Sequence, residues 1–180
     1  PFFSPALKAV AGVRKSLGVR NFFNIMGPLV NPTQPPYQVL GVYDLSMMRL
    51  FSYIYQESKK NFSIVHSIDG YDEISLTGQF KVVSNRGEQL FVPGDLGLRR
   101  ASQAELSGGE TPEDAARIFD LVLRCEATEA QMNAVLVNAA FGIRTIEQDK
   151  SIDDCLDQAR DSLYGKKALN TFNQYIELNS

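Results

Sequence analysis

The sequence predicts an α/β fold with a mixed, largely parallel central sheet flanked by helices. Three observations carry that expectation. A strand–helix–strand pattern runs from about 38 to 66, three short β-type runs crowd 73–92, and the chain beyond 102 reads as helices with repeated N-cap signals.

Taken in order, residues 5–17 place Leu7, Val10, Val13 and Leu17 at helical spacing, and Gly18 is a natural stop. Residues 21–36 then hold Gly27-Pro28, Asn31-Pro32 and Pro35-Pro36, the composition of an irregular connector able to act as a hinge. QVLGVY (38–43) and NFSIVH (61–66) are short apolar runs. Between them lies a helical pattern from Leu45 to about Lys59, with Asp44 as its N-cap. Strand, helix and strand at that spacing make the βαβ unit of a parallel pair. EISL (73–76), FKVV (80–83) and EQLFV (88–92) read as further short strands, with turn signals at Thr77-Gly78 and Arg86-Gly87 that suggest hairpins.

The second half is helical. Ser102 with Glu105 and Thr128 with Gln131 each have capping-box spacing. Thr111-Pro112-Glu113-Asp114 combines a cap, a first-turn proline and two acids at the positive end of the helix dipole. Residues 128–142 are apolar nearly all round, as a buried central helix is. An amphipathic helix over 151–164 ends at Gly165, and 166–178 forms a last one.

Composition narrows the function classes. Apolar content of 44% and charged content of 22% are ordinary for a soluble domain. No apolar run approaches the ~20 residues of a membrane span, and no secretory signal is visible. Cys125, Cys155 and the single histidine, His66, lack zinc-site spacing, and unpaired thiols point to the cytoplasm. A formal charge of −3 with dispersed basic residues argues against nucleic acid as a partner. Pro1 stands where a native chain begins with Met, so a piece of a longer protein is expected.

Few residues stand out as carriers of chemistry. Arg14, on a helix before the Gly/Pro connector, can offer its planar fork to a carboxylate or phosphate, or it can be a solvated surface arginine. Asp72-Glu73 offers oxygen ligands of the kind a hard cation such as Mg²⁺ takes. Neighbours on a regular strand point to opposite faces, so the pair can serve one ion only from a turn, which Asp69-Gly70 supplies. The alternative is an acidic loop tip in solvent. Gly108-Gly109 is a linker rather than a phosphate cradle, because Glu110, Glu113 and Asp114 crowd it with negative charge. His66 reads as a strand-end residue and Cys155 as core.

Together these pieces resemble the anthranilate phosphoribosyltransferase family. The resemblance rests on Arg14, Leu17-Gly18, Arg20, Phe23-Asn24, Gly27-Pro28-Leu29 and Asn31-Pro32. GVY (41–43), DGYDEISLTG (69–78), LVNAAF (136–141) and YGKKAL (164–169) follow in the family's order. It implies the C-terminal domain type shared by nucleoside phosphorylases and phosphoribosyltransferases. Residues 1–25 would be a remnant of a small helical domain and hinge, and 26–180 the α/β domain. It implies transfer of phosphoribose from phosphoribosyl pyrophosphate to anthranilate in tryptophan biosynthesis, by a cytoplasmic enzyme that is a homodimer at full length. In that scheme Arg14 binds the anthranilate carboxylate, Gly27 and Pro28 line the anthranilate channel, and Asp72 and Glu73 hold Mg²⁺ against the pyrophosphate. The chain departs from the family at Ser4-Pro5-Ala6, where His-Pro-Ala is common, and at Leu7, where an aromatic residue is common. The family's Gly-Thr-Gly-Gly-Asp loop and Lys-His-Gly-Asn motif are absent, so the chain alone is expected to be inactive. A non-catalytic, nucleic-acid-binding member of the same fold is the alternative, and a basic stripe would favour it.

Overall fold

The computed structural model describes Gly12 and residues 27–179. The chain divides into two units, Pro1–Pro36 and Tyr37–Ser180, each considered by itself. The expected helix over 5–17, its Gly18 stop and Arg14 lie outside the described residues. So does all of the expected remnant 1–25 except Gly12. Within the first unit, Gly27–Leu29 forms a single 3-10 turn. After it Asn31 turns the chain: its side-chain oxygen accepts from the Thr33 amide at 3.1 Å and its carbonyl from the Gln34 amide at 3.1 Å. Asparagine folds back on its own backbone in this way more readily than other residues do.

The second unit holds strands β1 (Tyr37–Gly41), β2 (Asn61–Ser67), β3 (Phe80–Ser84) and β4 (Gly87–Phe91). Helix α1 (Leu45–Gln56) joins β1 to β2, and α2 (Pro112–Arg124), α3 (Glu129–Ile146), α4 (Ile152–Tyr164) and α5 (Lys167–Leu178) follow the sheet. The strand order is β1-β2-β3-β4. The sheet is mixed: β1 runs parallel to β2, whereas β3 and β4 extend it antiparallel. Asp44 caps α1 by accepting from the Met47 amide at 2.8 Å. Thr111, Thr128 and Ser151 do the same for α2, α3 and α4, the first two at positions the sequence marks as caps.

β2 is buried from Phe62 to Ser67, which requires cover on both faces. Its side chains, alternating in direction, show what supplies it. The Phe62 ring lies 5.4 Å from that of Tyr55 on α1. The next residue, Ser63, points the other way, and its hydroxyl accepts from Thr145 of α3 at 2.7 Å. Helices α1 and α3 therefore cover opposite faces of the sheet. Under α3 the core centres on Phe80, Phe91 and Phe141, with ring centroids 5.3–5.8 Å apart in one stacked and two edge-to-face pairs. A smaller cluster of Val122, Leu136, Ala159 and Leu163 ties α2, α3 and α4 together.

Three expectations are corrected. EISL (73–76) is not a strand: Leu76 takes a left-handed φ of 62°, and the whole stretch from Ile68 to Gln79 is irregular. Its apolar residues are buried as anchors rather than laddered, so β3 pairs with β2 instead of with it. The capping box of Ser102 and Glu105 closes only the 3-10 turn Ala104–Leu106. Helix α3 is not buried all round, since Val135 is 47% exposed beside α2. Among the described residues no helix is long and apolar enough to cross a membrane.

Candidate functional site

The segment that joins β2 to β3 carries Asp72 and Glu73, and its shape is set by bonds to distant parts of the unit. A tight turn opens it: the Gly70 amide donates to the Ser67 carbonyl at 2.9 Å, with Gly70 at a φ of 105° that favours glycine. The Ser67 amide donates to the Tyr71 carbonyl at 2.9 Å, and the Ile68 amide closes the far end on the Gln79 carbonyl at 2.8 Å. Asp72 and Glu73 stand exposed at the crest. The next four residues, Ile74 to Thr77, are all buried. Apolar side chains that sink immediately after two acids hold the acids at the surface.

Polar groups fix the main chain there. The Ser67 hydroxyl, 1% exposed, donates to the Glu73 carbonyl at 2.7 Å and accepts from the Ser75 amide at 3.1 Å. Asn138 of α3 accepts from the Ile74 amide at 3.1 Å and donates to the Ile74 carbonyl at 2.8 Å. Ser75 and Thr77 are linked hydroxyl to hydroxyl at 2.7 Å, and Thr77 donates to the Asp69 carboxylate. Further along, the Thr77 carbonyl accepts from the Arg100 guanidinium and the Leu76 carbonyl from the Ala101 amide at 3.0 Å. A buried backbone group left without such partners costs ~1–3 kcal/mol, so this set strongly restricts the turn.

The two carboxylates are close enough to interact. Desolvation pushes the Glu73 pKa up, and a hydrogen bond and the like charge of Asp72 add to it. The desolvation has a visible source: Glu73 borders an apolar groove of about 680 Å³ between α2 and α3, beside Ile118, Phe119 and Val135. Paired oxygen ligands at an open crest fit a hard divalent cation that takes one or two carboxylates and completes its shell with water and phosphate oxygens. Among the described residues no group of three or more His, Cys, Asp or Glu forms a metal cage.

Asp72 and Glu73 are thus brought together in a turn, as the single-cation reading requires. Gly27 and Pro28 are neighbours in the 3-10 turn of the first unit, and Arg14 lies outside the described residues. His66 is 4% exposed and its Nδ1 sits 2.8 Å from the Val42 carbonyl, which can only accept; it is a structural donor. Cys155 is fully buried, and burial raises its thiol pKa. Sequence reasoning missed Ser67 and Asn138. A lone Asn in the apolar run LVNAAF was a usable signal for one of them, since a polar side chain on such a helix needs a partner.

The chain is similar to known proteins along nearly its whole length. The model of the glycosyl transferase family, a/b domain, matches residues 1–169. Anthranilate phosphoribosyltransferase of Bacteroides fragilis (strain YCH46) is 57% identical over 99% of this chain and 54% of its own length. That of Cytophaga hutchinsonii is 48% identical over 98% and 54%. The crystal structure of anthranilate phosphoribosyltransferase from Thermus thermophilus superposes with a TM-score of 0.87 at 31% identity, covering 96% of this chain and 52% of that one. The Saccharomyces cerevisiae enzyme, solved in complex with PRPP and Mg, shares the fold with a TM-score of 0.85 at 21% identity, over 95% of this chain and 49% of that one. The chain spans about half the length of the relatives it matches.

Proposed function

The chain belongs to the glycosyl transferase family, a/b domain, and on that premise we propose that it is the C-terminal part of an anthranilate phosphoribosyltransferase. The full-length protein transfers phosphoribose from phosphoribosyl pyrophosphate to anthranilate, with release of pyrophosphate, in tryptophan biosynthesis. One observation carries this beyond family membership. Asp72 and Glu73 are adjacent and exposed at a crest whose backbone is fixed from both sides. Two carboxylates so placed suit a hard cation that completes its shell with water and phosphate oxygens.

Asp72 and Glu73 hold Mg²⁺ in this scheme. When bound, Mg²⁺ neutralises charge on the departing pyrophosphate. Arg14 pairs its guanidinium with the anthranilate carboxylate, and Gly27 and Pro28 line the channel along which anthranilate enters. The anthranilate nitrogen bonds to C1 of the ribosyl ring as the C1–O bond to pyrophosphate breaks. No side-chain nucleophile is required, and the reading assigns none. The division into 1–25 and 26–180 as helical remnant and α/β domain, a cytoplasmic location and a homodimer at full length belong to the same proposal.

Loss of anthranilate fluorescence in the presence of phosphoribosyl pyrophosphate and Mg²⁺ tests it. The full-length protein is expected to turn over and the present chain alone to be silent, because electrostatic stabilisation of the leaving group needs the missing half of the cleft. Arg14→Ala is expected chiefly to raise KM for anthranilate, as loss of an interaction made before the transition state does. A full-length protein without this activity sinks the reading, and an active isolated chain sinks the role given to the missing half.

A further inference from the structure

Resting on that reading of the acid pair, we propose that Gly41 and Asn138 are positioning residues that together set where the Asp72 and Glu73 carboxylates stand. Gly41 is the last residue of β1, far from the acids in sequence. The three atoms nearest to a Cβ built on it belong to Asp72: the carbonyl oxygen at 2.1 Å, the carbonyl carbon at 2.9 Å and Cβ at 3.3 Å. Main-chain atoms cannot swing aside as a flexible side-chain tip can. Any larger residue at 41 therefore moves Asp72 itself. Gly41 is not required by its own backbone angle, since it is absent from the residues with positive φ. Close approach is the reason for glycine here.

Asn138 acts from the other side. Its amide receives the Ile74 N–H and returns a hydrogen bond to the Ile74 carbonyl, while a third bond to the Ala134 carbonyl at 2.8 Å locks the amide to its own helix. Ile74 follows Glu73 directly. One acid is thus indexed to the sheet through Gly41, and the other to α3 through Asn138. The Ser67 hydroxyl on the Glu73 carbonyl lies between these two holds. Neither residue touches the ion or substrate in this account. Each acts through the main chain of the turn, as outer partners of metal ligands do, and loss of such partners costs roughly 10–100-fold in metal affinity.

The test is Mn²⁺ binding to the full-length protein with pyrophosphate as the second ligand, read from the free-ion electron paramagnetic resonance signal, alongside the melting temperature. Gly41→Ala and Asn138→Ala are each expected to weaken Mn²⁺ binding by roughly tenfold or more. Two controls separate position from stability. Gly142→Ala, on α3 with nothing within 4 Å of the added Cβ, is expected to keep the affinity while raising the melting temperature slightly, as alanine does in a helix interior. Leu136→Ala, in the α2–α3–α4 cluster, is expected to lower the melting temperature and keep the affinity. Asn138→Ala adds no atom and keeps the test decisive if Gly41→Ala does not fold. The proposal is overturned if Gly41→Ala or Asn138→Ala binds Mn²⁺ as the unaltered protein does, or if Leu136→Ala weakens binding equally. Asp72→Asn is the arm that separates the two ideas: should it leave Mn²⁺ binding unchanged, the acid pair is not the metal site, and the underlying reading fails first.

Discussion

The acid turn and the last helix, α5, invert the usual association between regular structure and rigidity. Residues 68–79 have no helix or strand, yet Ile74 to Thr77 are buried, and β2, α3 and the stretch around Arg100 all bond to the turn. Helix α5 is regular along its length and buries no residue; Tyr175 is 61% and Leu178 85% exposed. A helix satisfies its own backbone, so it can be regular while loosely attached. An irregular turn has no internal ladder, and each of its polar groups must find a partner elsewhere. Those distant partners are what give it one position. A site that must hold two carboxylates to within a fraction of an ångström gains from the second arrangement.

Substitutions can break or sharpen that contrast. The largest effect is expected at Ile74, 1% exposed: Ile74→Ala is expected to cost about 2–5 kcal/mol in denaturant unfolding. A value near zero would falsify the description of the turn as anchored. Next comes Asn138→Ala, expected to cost ~1–3 kcal/mol by leaving the Ile74 amide unpaired, with faster hydrogen exchange at Ile74 but not at the centre of α3. Unchanged exchange at Ile74 removes Asn138 from the account. Smaller still, Leu178→Ala in α5 is expected to change stability by no more than ~0.5 kcal/mol; a large loss there means the helix is tied down after all.

The smallest effect is electrostatic. Arg99, first, and then the amide and hydroxyl of Ser102 hold the Glu105 carboxyl down from the ordinary 4.5 to about 2. A carboxyl depressed on folding adds stability that is present above its ordinary value and lost as pH falls toward the folded value. Both partners are exposed, so the gain is slight and screened by salt. Carboxyl chemical shifts followed by NMR should show Glu105 titrating near pH 2 and Arg99→Ala moving it upward. An ordinary midpoint in the unaltered chain contradicts the pairing.

Local signals in the sequence reached most of the regular structure. Asp44, Thr111 and Thr128 announce helix starts because a short polar side chain meets an orphan amide wherever a helix begins. The parallel pair of β1 and β2 with its crossover helix α1 was read directly from apolar runs, whereas the cover that α3 gives the other face was not. That Asp72 and Glu73 lie in a turn was also legible, through their place after Asp69-Gly70. What held it was not. EISL has the composition of a strand, and only the positive φ at Leu76 and the pull of α3 on Ile74 take it out of the ladder. Gly41 and Asn138 are separated from the acids by 31 and 64 positions, the latter counted to Ile74, and no local rule joins them. Arg14, also marked for binding, falls outside the described residues.

Under the proposed reading, the acid turn is the metal–pyrophosphate side of a transferase site. Steady-state turnover of the full-length protein against Mg²⁺ concentration, with Asp72→Asn and Glu73→Gln combined, tests it most directly. The account predicts a turnover lower by ~10²-fold or more, a higher Mg²⁺ requirement and a nearly unchanged KM for anthranilate. A double variant with the turnover and Mg²⁺ dependence of the unaltered enzyme contradicts it and leaves Asp72 and Glu73 as a polar turn.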